Sequence, residues 1–228
     1  METVLREECR RLGISLTDRQ LAQFRAFGTT LLEKNRVMNL TAITEPEAVA
    51  RLHFADSLEL LNAADFRGKR VLDVGCGAGF PGVPLKLAEP SIDLTLLDSL
   101  QKRVNWLRET LADMGIDAHC VAARAEEYPE RECFDLVTSR AVARLNVLCE
   151  LCLPFVRVGG CFLPMKAAAA AQELSEASHA ISVLGGRLAR TLDYELDGAA
   201  RHILVIQKVR PTPPAYPRRY SKIKQSPL

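Results

Sequence analysis

The chain has 228 residues, 48% of them hydrophobic and 25% charged, with a formal net charge of +2; that suffices for one large core plus a subdomain without metal or disulfide staples. No apolar run approaches the roughly 20 residues that span a bilayer, and the charged opening Met1-Glu2-Thr3-Val4-Leu5-Arg6 is unlike a signal peptide. Seven cysteines, an odd number, fit reduced thiols better than a disulfide framework, so a cytoplasmic protein with no membrane partner is expected, and nothing demands more than a monomer.

In chain order, residues 1–62 read as a helical extension. Thr17 with Gln20 makes a capping-box pattern ahead of Leu21, Phe24, Phe27 and Leu31, which share one helical stripe. Thr44 with Glu47 repeats the pattern, with Pro46 in the first turn. Between them, Asn39-Leu40-Thr41-Ala42-Ile43 reads as a structured turn.

Residues 63–210 read as an α/β core. Val71 to Val74 is a short buried strand running into glycines, and Asp93 to Asp98 is a second strand. Further strands are expected near His119 to Ala122, Phe134 to Thr138, Cys161 to Met165 and His202 to Val209. Helices are expected over Gln101 to Met114, Leu145 to Leu153 and Ala168 to Leu184. This alternation predicts a doubly wound, Rossmann-like, largely parallel sheet. Residues 211–228, opening on Pro211-Thr212-Pro213-Pro214, read as an exposed basic tail. Seven of the chain's 30 basic residues and none of its 28 acidic ones lie beyond Asp197, a footprint of nucleic-acid contact or simply of a solvated terminus.

The loop Asp73-Val74-Gly75-Cys76-Gly77-Ala78-Gly79 carries the chemistry. Glycine after a strand lets the backbone approach a ligand at the sheet's carboxyl edge. Residues 77 to 82, Gly-Ala-Gly-Phe-Pro-Gly, also match the dinucleotide fingerprint, a weak signal alone. Asp73 would repel a pyrophosphate, and Pro81 removes an N–H that a phosphate would use. A cationic cofactor fits better: Asp73, Gly75, Gly77 and Gly79 suit the ammonium and sulfonium of S-adenosyl-L-methionine. Asp98, ending the second strand, suits its ribose hydroxyls. Each carboxylate could instead be a helix cap or loop contact.

Several motifs together resemble the bacterial RsmG family, also called glucose-inhibited division protein B. These are Asn39 to Ile43, His53-Phe54-Ala55-Asp56-Ser57-Leu58, the loop Asp73 to Gly82, Leu97 to Val104, Ser139-Arg140-Ala141 and the closing Pro227-Leu228. The resemblance runs from about residue 30 to the C-terminus. It implies a class I S-adenosylmethionine-dependent methyltransferase fold with a helical N-terminal extension, and methylation of guanine N7 in 16S ribosomal RNA of the small subunit. It also implies that Gly75 and Phe80 contact the cofactor, that Ala125 and Glu126 hold the adenine end, and that Arg140 lines the site between cofactor and substrate. The chain departs from the family pattern at Lys34, where Trp is common, at Lys166-Ala167 instead of Lys-Gly, and in a tail without the usual glycine.

Guanine N7 has a free lone pair, so catalysis can rest on positioning, with Arg140 orienting the base or the cofactor carboxylate or else forming a structural ion pair. No Pro-Cys pair exists for cytosine C5 chemistry, and Ser139-Arg140-Ala141 stands where amino-methylating enzymes carry an Asn/Asp-Pro-Pro-aromatic motif. Arg124, Lys166, Arg218, Arg219, Lys222 and Lys224 are candidate phosphate contacts, with Tyr216 and Tyr220 available to stack on bases. Cys149 and Cys152 read as core thiols. The histidines His53, His119, His179 and His202 lack metal-ligand spacing, so no metal is expected. Methyl transfer to another RNA or a small molecule, nicotinamide redox chemistry and non-catalytic RNA binding are the alternatives.

Overall fold

The computed structural model describes all 228 residues. Two N-terminal helices, α1 (Glu2–Arg11) and α2 (Asp18–Met38), lead the chain. The capping box at α2 forms as expected: Thr17 accepts from the Gln20 N–H at 3.2 Å, and the Thr17 N–H donates to the Gln20 side chain at 2.9 Å. The second capping box does not form. Glu45 is the N-cap of α3 (Pro46–Val49), without a side-chain bond. Proline at the first position already supplies the helical φ and removes a donor that a cap would otherwise satisfy.

From α3 the chain continues through a π-helical turn (Ala50–Ala55), α4 (Asp56–Leu58) and α5 (Leu60–Ala63). The core follows as β1 (Arg70–Val74), α6 (Gly82–Ala88), β2 (Asp93–Asp98), α7 (Gln101–Asp113), β3 (His119–Ala122), β4 (Phe134–Arg140), α8 (Leu145–Cys152), β5 (Val156–Ala167), α9 (Ala170–Val183), β6 (Gly186–Leu196), β7 (Ala199–Lys208) and α10 (Tyr220–Gln225).

The strands form one sheet in the order β3-β2-β1-β4-β5-β7-β6. The first five run parallel, and β7 runs antiparallel between β5 and β6. β6 was not among the expected strands. It is an edge strand with mostly exposed or half-buried positions, and it pairs with β7 across an Asp197-Gly198 turn whose residues both have positive φ. Asp-Gly between two alternating runs is a strong hairpin signal.

Helices cover both faces, which is why β1, β2 and β4 are buried along almost their whole length. One core packs the N-terminal extension, α6 and α7 on the sheet; the other packs α8, α9 and Ile223 of α10. Phe27 of α2 lies 6.0 Å from Phe80 and 6.2 Å from both Phe54 and Trp106 between ring centroids. Such aromatic pairs add about 0.5–1.5 kcal/mol each beyond area burial. They fix the extension against the glycine loop.

Residues 211–228 are not a free tail. Ile223 is fully buried, and the Arg218 side chain meets the fully buried Glu150 at 2.6 and 2.8 Å. An acid inside the apolar helix α8 pulls the basic segment down, because a buried carboxylate needs a paired charge.

Candidate active site

Strand order reverses at β1 and β4, the switch point where a crevice opens beyond the strand ends in doubly wound sheets. The glycine loop spans it. Gly75 and Cys76 N–H groups donate to Leu97 O at 2.8 and 3.1 Å, and Ser139 Oγ donates to Val74 O at 2.8 Å. The loop is thereby tied to β2 on one side and β4 on the other.

Two cavities flank the turn after β4. The first, about 380 Å³, is lined by Gly75, Asp98, Leu100, Ala125, Glu126 and Tyr220, among others. Gly75 has φ +72°, and a Cβ there would meet Val142 Cγ2 at 2.4 Å, so only glycine fits. Asp98 stands in the wall, its Oδ2 accepting from Gly77 N–H at 2.9 Å and its Oδ1 from Leu100 N–H at 2.8 Å. Each oxygen keeps a lone pair for a further donor.

Asp73 lies deeper than expected. It is fully buried and lines neither cavity; Oδ2 accepts the Gly82 N–H at 2.8 Å, while Oδ1 has no partner. Burial pushes its carboxyl up to about 7, against the pull of that N–H. The Asp73 carboxylate thus already takes an N–H at the start of α6, where a dinucleotide phosphate would sit. Gly82 makes this possible: a Cβ there would lie 2.9 Å from Asp73 Oδ2. Gly79 likewise serves packing, since a Cβ would meet Val83 and Leu107. Gly77 has φ +55° and presents its N–H to Asp98.

The second cavity, about 600 Å³, is lined by His53, Asp56, Arg140, Lys166, Glu173 and Tyr194, among others, and shares Ala141 and Val142 with the first. Arg140 donates to Asp56 Oδ2 at 2.8 Å and Leu52 O at 3.3 Å, and its Nη2 lies 2.9 Å from His53 Nδ1. The other Asp56 oxygen accepts from Tyr194 OH at 2.8 Å. His53 Nε2 sits 2.8 Å from Thr41 Oγ1. Burial, and then the Arg140 charge, hold His53 down at about 3, so its ring is neutral and Nδ1 accepts from Arg140. The Phe80 ring is stacked on His53 at 4.3 Å and is only 5% exposed, so Phe80 meets neither cavity with its ring.

The sequence named His53 and Asp56 only as part of a motif. The π-helical turn brings them to one side, and such wide turns recur at functional sites. Tyr194 was missed because β6 was missed.

Of the candidate phosphate contacts, three are already paired with an acid. Lys166 bonds Ala143 O at 2.7 Å and Glu173 at 2.8 Å, and Arg218 pairs with Glu150. Arg124 lies over the Tyr220 ring at 4.9 Å and bonds Glu126 at 2.6 Å. Arg219, Lys222 and Lys224 are exposed and form no ion pair. The Tyr216 ring lies 5.7 Å from Arg218. Cys149 and Cys152 are fully buried in α8. No helix is long and apolar enough to cross a membrane.

The family described as rRNA small subunit methyltransferase G, GidB, matches residues 20–204. The chain belongs to that family. A relative from Alkaliphilus oremlandii, named ribosomal RNA small subunit methyltransferase G, is 44% identical over 100% of this chain and 99% of its own. A relative of the same name from Bacillus cytotoxicus is 46% identical over 91% and 90%. Among solved structures, a SAM-dependent methyltransferase from Aquifex aeolicus aligns with a TM-score of 0.55 at 15% identity, covering 74% of this chain and 96% of that one. The cyclase SpnF aligns at 0.58 and 16% identity over 88% and 98%. These two likenesses concern the class I methyltransferase fold alone, which supports more than one chemistry.

Proposed function

We propose that the chain transfers a methyl group from S-adenosyl-L-methionine to N7 of a guanine in 16S ribosomal RNA, as free RNA or in a small-subunit particle. One observation carries this within the family: two cavities, one suited to a cationic nucleoside and one lined by charged and polar side chains, meet at the Ala141-Val142 turn. The residues fit the cofactor. Asp98 offers oxygens to a ribose, the Ala125 backbone and Glu126 offer hydrogen bonds to an adenine edge, and Gly75 and Gly77 give close approach. Asp73, buried behind the loop, acts by holding the Gly82 N–H rather than by contact, and the Phe80 ring braces His53. Bound there, S-adenosylmethionine supplies a methyl group made electrophilic by its sulfonium.

The side chains then have to position the acceptor. N7 is unprotonated at neutral pH, so no general base is needed, and the two basic groups beside Arg140, Asp56 and His53, are taken up in holding its guanidinium. Holding the base in line can supply most of the rate enhancement. Arg140, kept in one pose by Asp56 and His53, supports the acceptor side. In A-form RNA N7 faces a deep, narrow groove, so the target guanine has to be splayed out.

The test is methylation mapping of 16S ribosomal RNA from cells with and without the gene, together with transfer by the purified protein to small subunits from the deleted strain. Loss of one N7-methylguanine and its restoration in vitro is the expected result. An unchanged pattern overturns the assignment.

A further inference from the structure

The second cavity contains one carboxylate oxygen with nothing to accept. Both oxygens of Asp56 are taken, by Arg140 and Tyr194. Glu173, in the first turn of α9, is different. Its Oε2 accepts from the Leu145 N–H at 2.8 Å and forms an ion pair with Lys166 Nζ at 2.8 Å. Its Oε1 has no hydrogen bond, yet is not among the buried unpartnered atoms, in a side chain 18% exposed on the cavity wall.

The pose of Glu173 is fixed from two directions. Lys166 donates to Ala143 O and pairs its charge with Glu173, so the carboxylate is tied to the turn that separates the two cavities. The Leu145 N–H, at the start of α8, holds the same oxygen from the other side. A carboxylate fixed in this way by its Oε2 presents Oε1 as an oriented acceptor.

Resting on the methyl-transfer assignment above, we propose that Glu173 is a specificity-determining residue, its Oε1 accepting from the N1–H and N2 amino group of the acceptor guanine. Flipped bases are read on the Watson–Crick edge. Guanine offers two donors there, whereas adenine offers an acceptor at N1 that a carboxylate repels. The edge carrying N7 stays free to face the cofactor cavity. The charge also has a use. As the N7 lone pair becomes the new N–C bond, the electrons of the broken C–S bond stay on sulfur and the positive charge moves to the purine. A carboxylate against N1–H stabilises that developing charge.

The experiment compares single-turnover transfer to small-subunit particles reconstituted with guanine or with inosine, which lacks the N2 amino group, at the target position. Wild-type protein should favour guanine roughly tenfold. Glu173→Gln keeps a carbonyl for Lys166 and Leu145 but turns an NH₂ toward the base. It should slow guanine methylation by roughly 10- to 100-fold and bring the guanine-to-inosine ratio near one, with S-adenosylhomocysteine affinity unchanged by calorimetry. Glu173→Asp, which retains the charge, should recover part of the preference. A purely structural Glu173 would slow both substrates equally and leave the ratio as in wild type, and that outcome overturns the proposal. So does a wild-type ratio of one. Failure of the wild-type protein to methylate either particle would instead overturn the assignment beneath it.

Discussion

Asp56 holds Arg140 across 84 residues of sequence, Oδ2 to Nη1 at 2.8 Å, with the two side chains only 7% and 15% exposed. The carboxylate comes from the helical extension and the guanidinium from the end of β4. The extension therefore forms part of the second cavity's wall. Removing one partner of such a pair leaves a buried charge uncompensated, so Asp56→Ala should cost about 3–5 kcal/mol in denaturant unfolding. Tyr194→Phe, which removes one neutral donor, should cost about 1 kcal/mol.

Arg140 lines the second cavity and not the first. Arg140→Ala should accordingly lower single-turnover methyl transfer by about 10²-fold while S-adenosylhomocysteine binds as before. Undiminished transfer would remove Arg140 from the mechanism, and collapse of cofactor affinity would move it to the other site.

The glycines of the loop are not equivalent. At Gly75 a Cβ would meet Val142 at 2.4 Å, whereas at Gly77 its nearest neighbour is Gly75 O at 3.9 Å. Gly75→Ala should abolish measurable cofactor binding and cost about 1–3 kcal/mol through strain at its positive φ. Gly77→Ala pays only the strain and should keep binding within about tenfold. Equal losses in calorimetric titrations would contradict this division.

The same loop shows what a sequence can disclose. Capping at Thr17, the individual strand segments and the position of Asp98 at a strand end depend on neighbours within a few residues, so they were legible. Asp73 was legible as an acid in the loop, but its depth was not, because that depends on Gly82 folding back over it. β6 went unread because an edge strand needs no continuous apolar run, although Asp197-Gly198 announced its turn. The docking of residues 211–228 depends on Glu150, one acid in an otherwise apolar helix, and no local pattern reveals its distant partner.

Burial of Asp73 predicts a pH signature in stability. Its folded value, about 7, lies above the ordinary 3.8, so between these values the folded state keeps a proton that the unfolded chain releases. Stability contributed by Asp73 is thus lost as pH rises toward 7. His53 runs oppositely: held at about 3 against 6.5, it costs stability as pH falls below 6.5. Comparing the parent with Asp73→Asn cancels the His53 contribution. The variant should gain on the parent by on the order of a few kcal/mol between pH 5 and pH 8 in urea titrations, since its amide bears no charge. A difference that does not vary with pH would mean that Asp73 is ionised throughout.

The basic C-terminal segment should separate into two roles. Glu150 accepts from Arg218 N, Nε and Nη2 at 2.9, 2.8 and 2.6 Å, and this anchors the segment whose Tyr220 stands in the wall of the first cavity. Glu150→Ala leaves Arg218 without its partner, so α10 should loosen and cofactor affinity should fall. Arg219, Lys222 and Lys224 face solvent instead. Replacing all three with Ala should leave S-adenosylhomocysteine binding intact and reduce the slope of log affinity for RNA against log salt by about 2, at roughly 0.7 per phosphate contact on single strands. Deleting residues 211–228 should impair both, because it removes the wall and the charges together. A triple variant with the parent's salt slope would show that the RNA runs elsewhere, and intact cofactor binding in the deletion would show that Tyr220 contributes nothing to that wall.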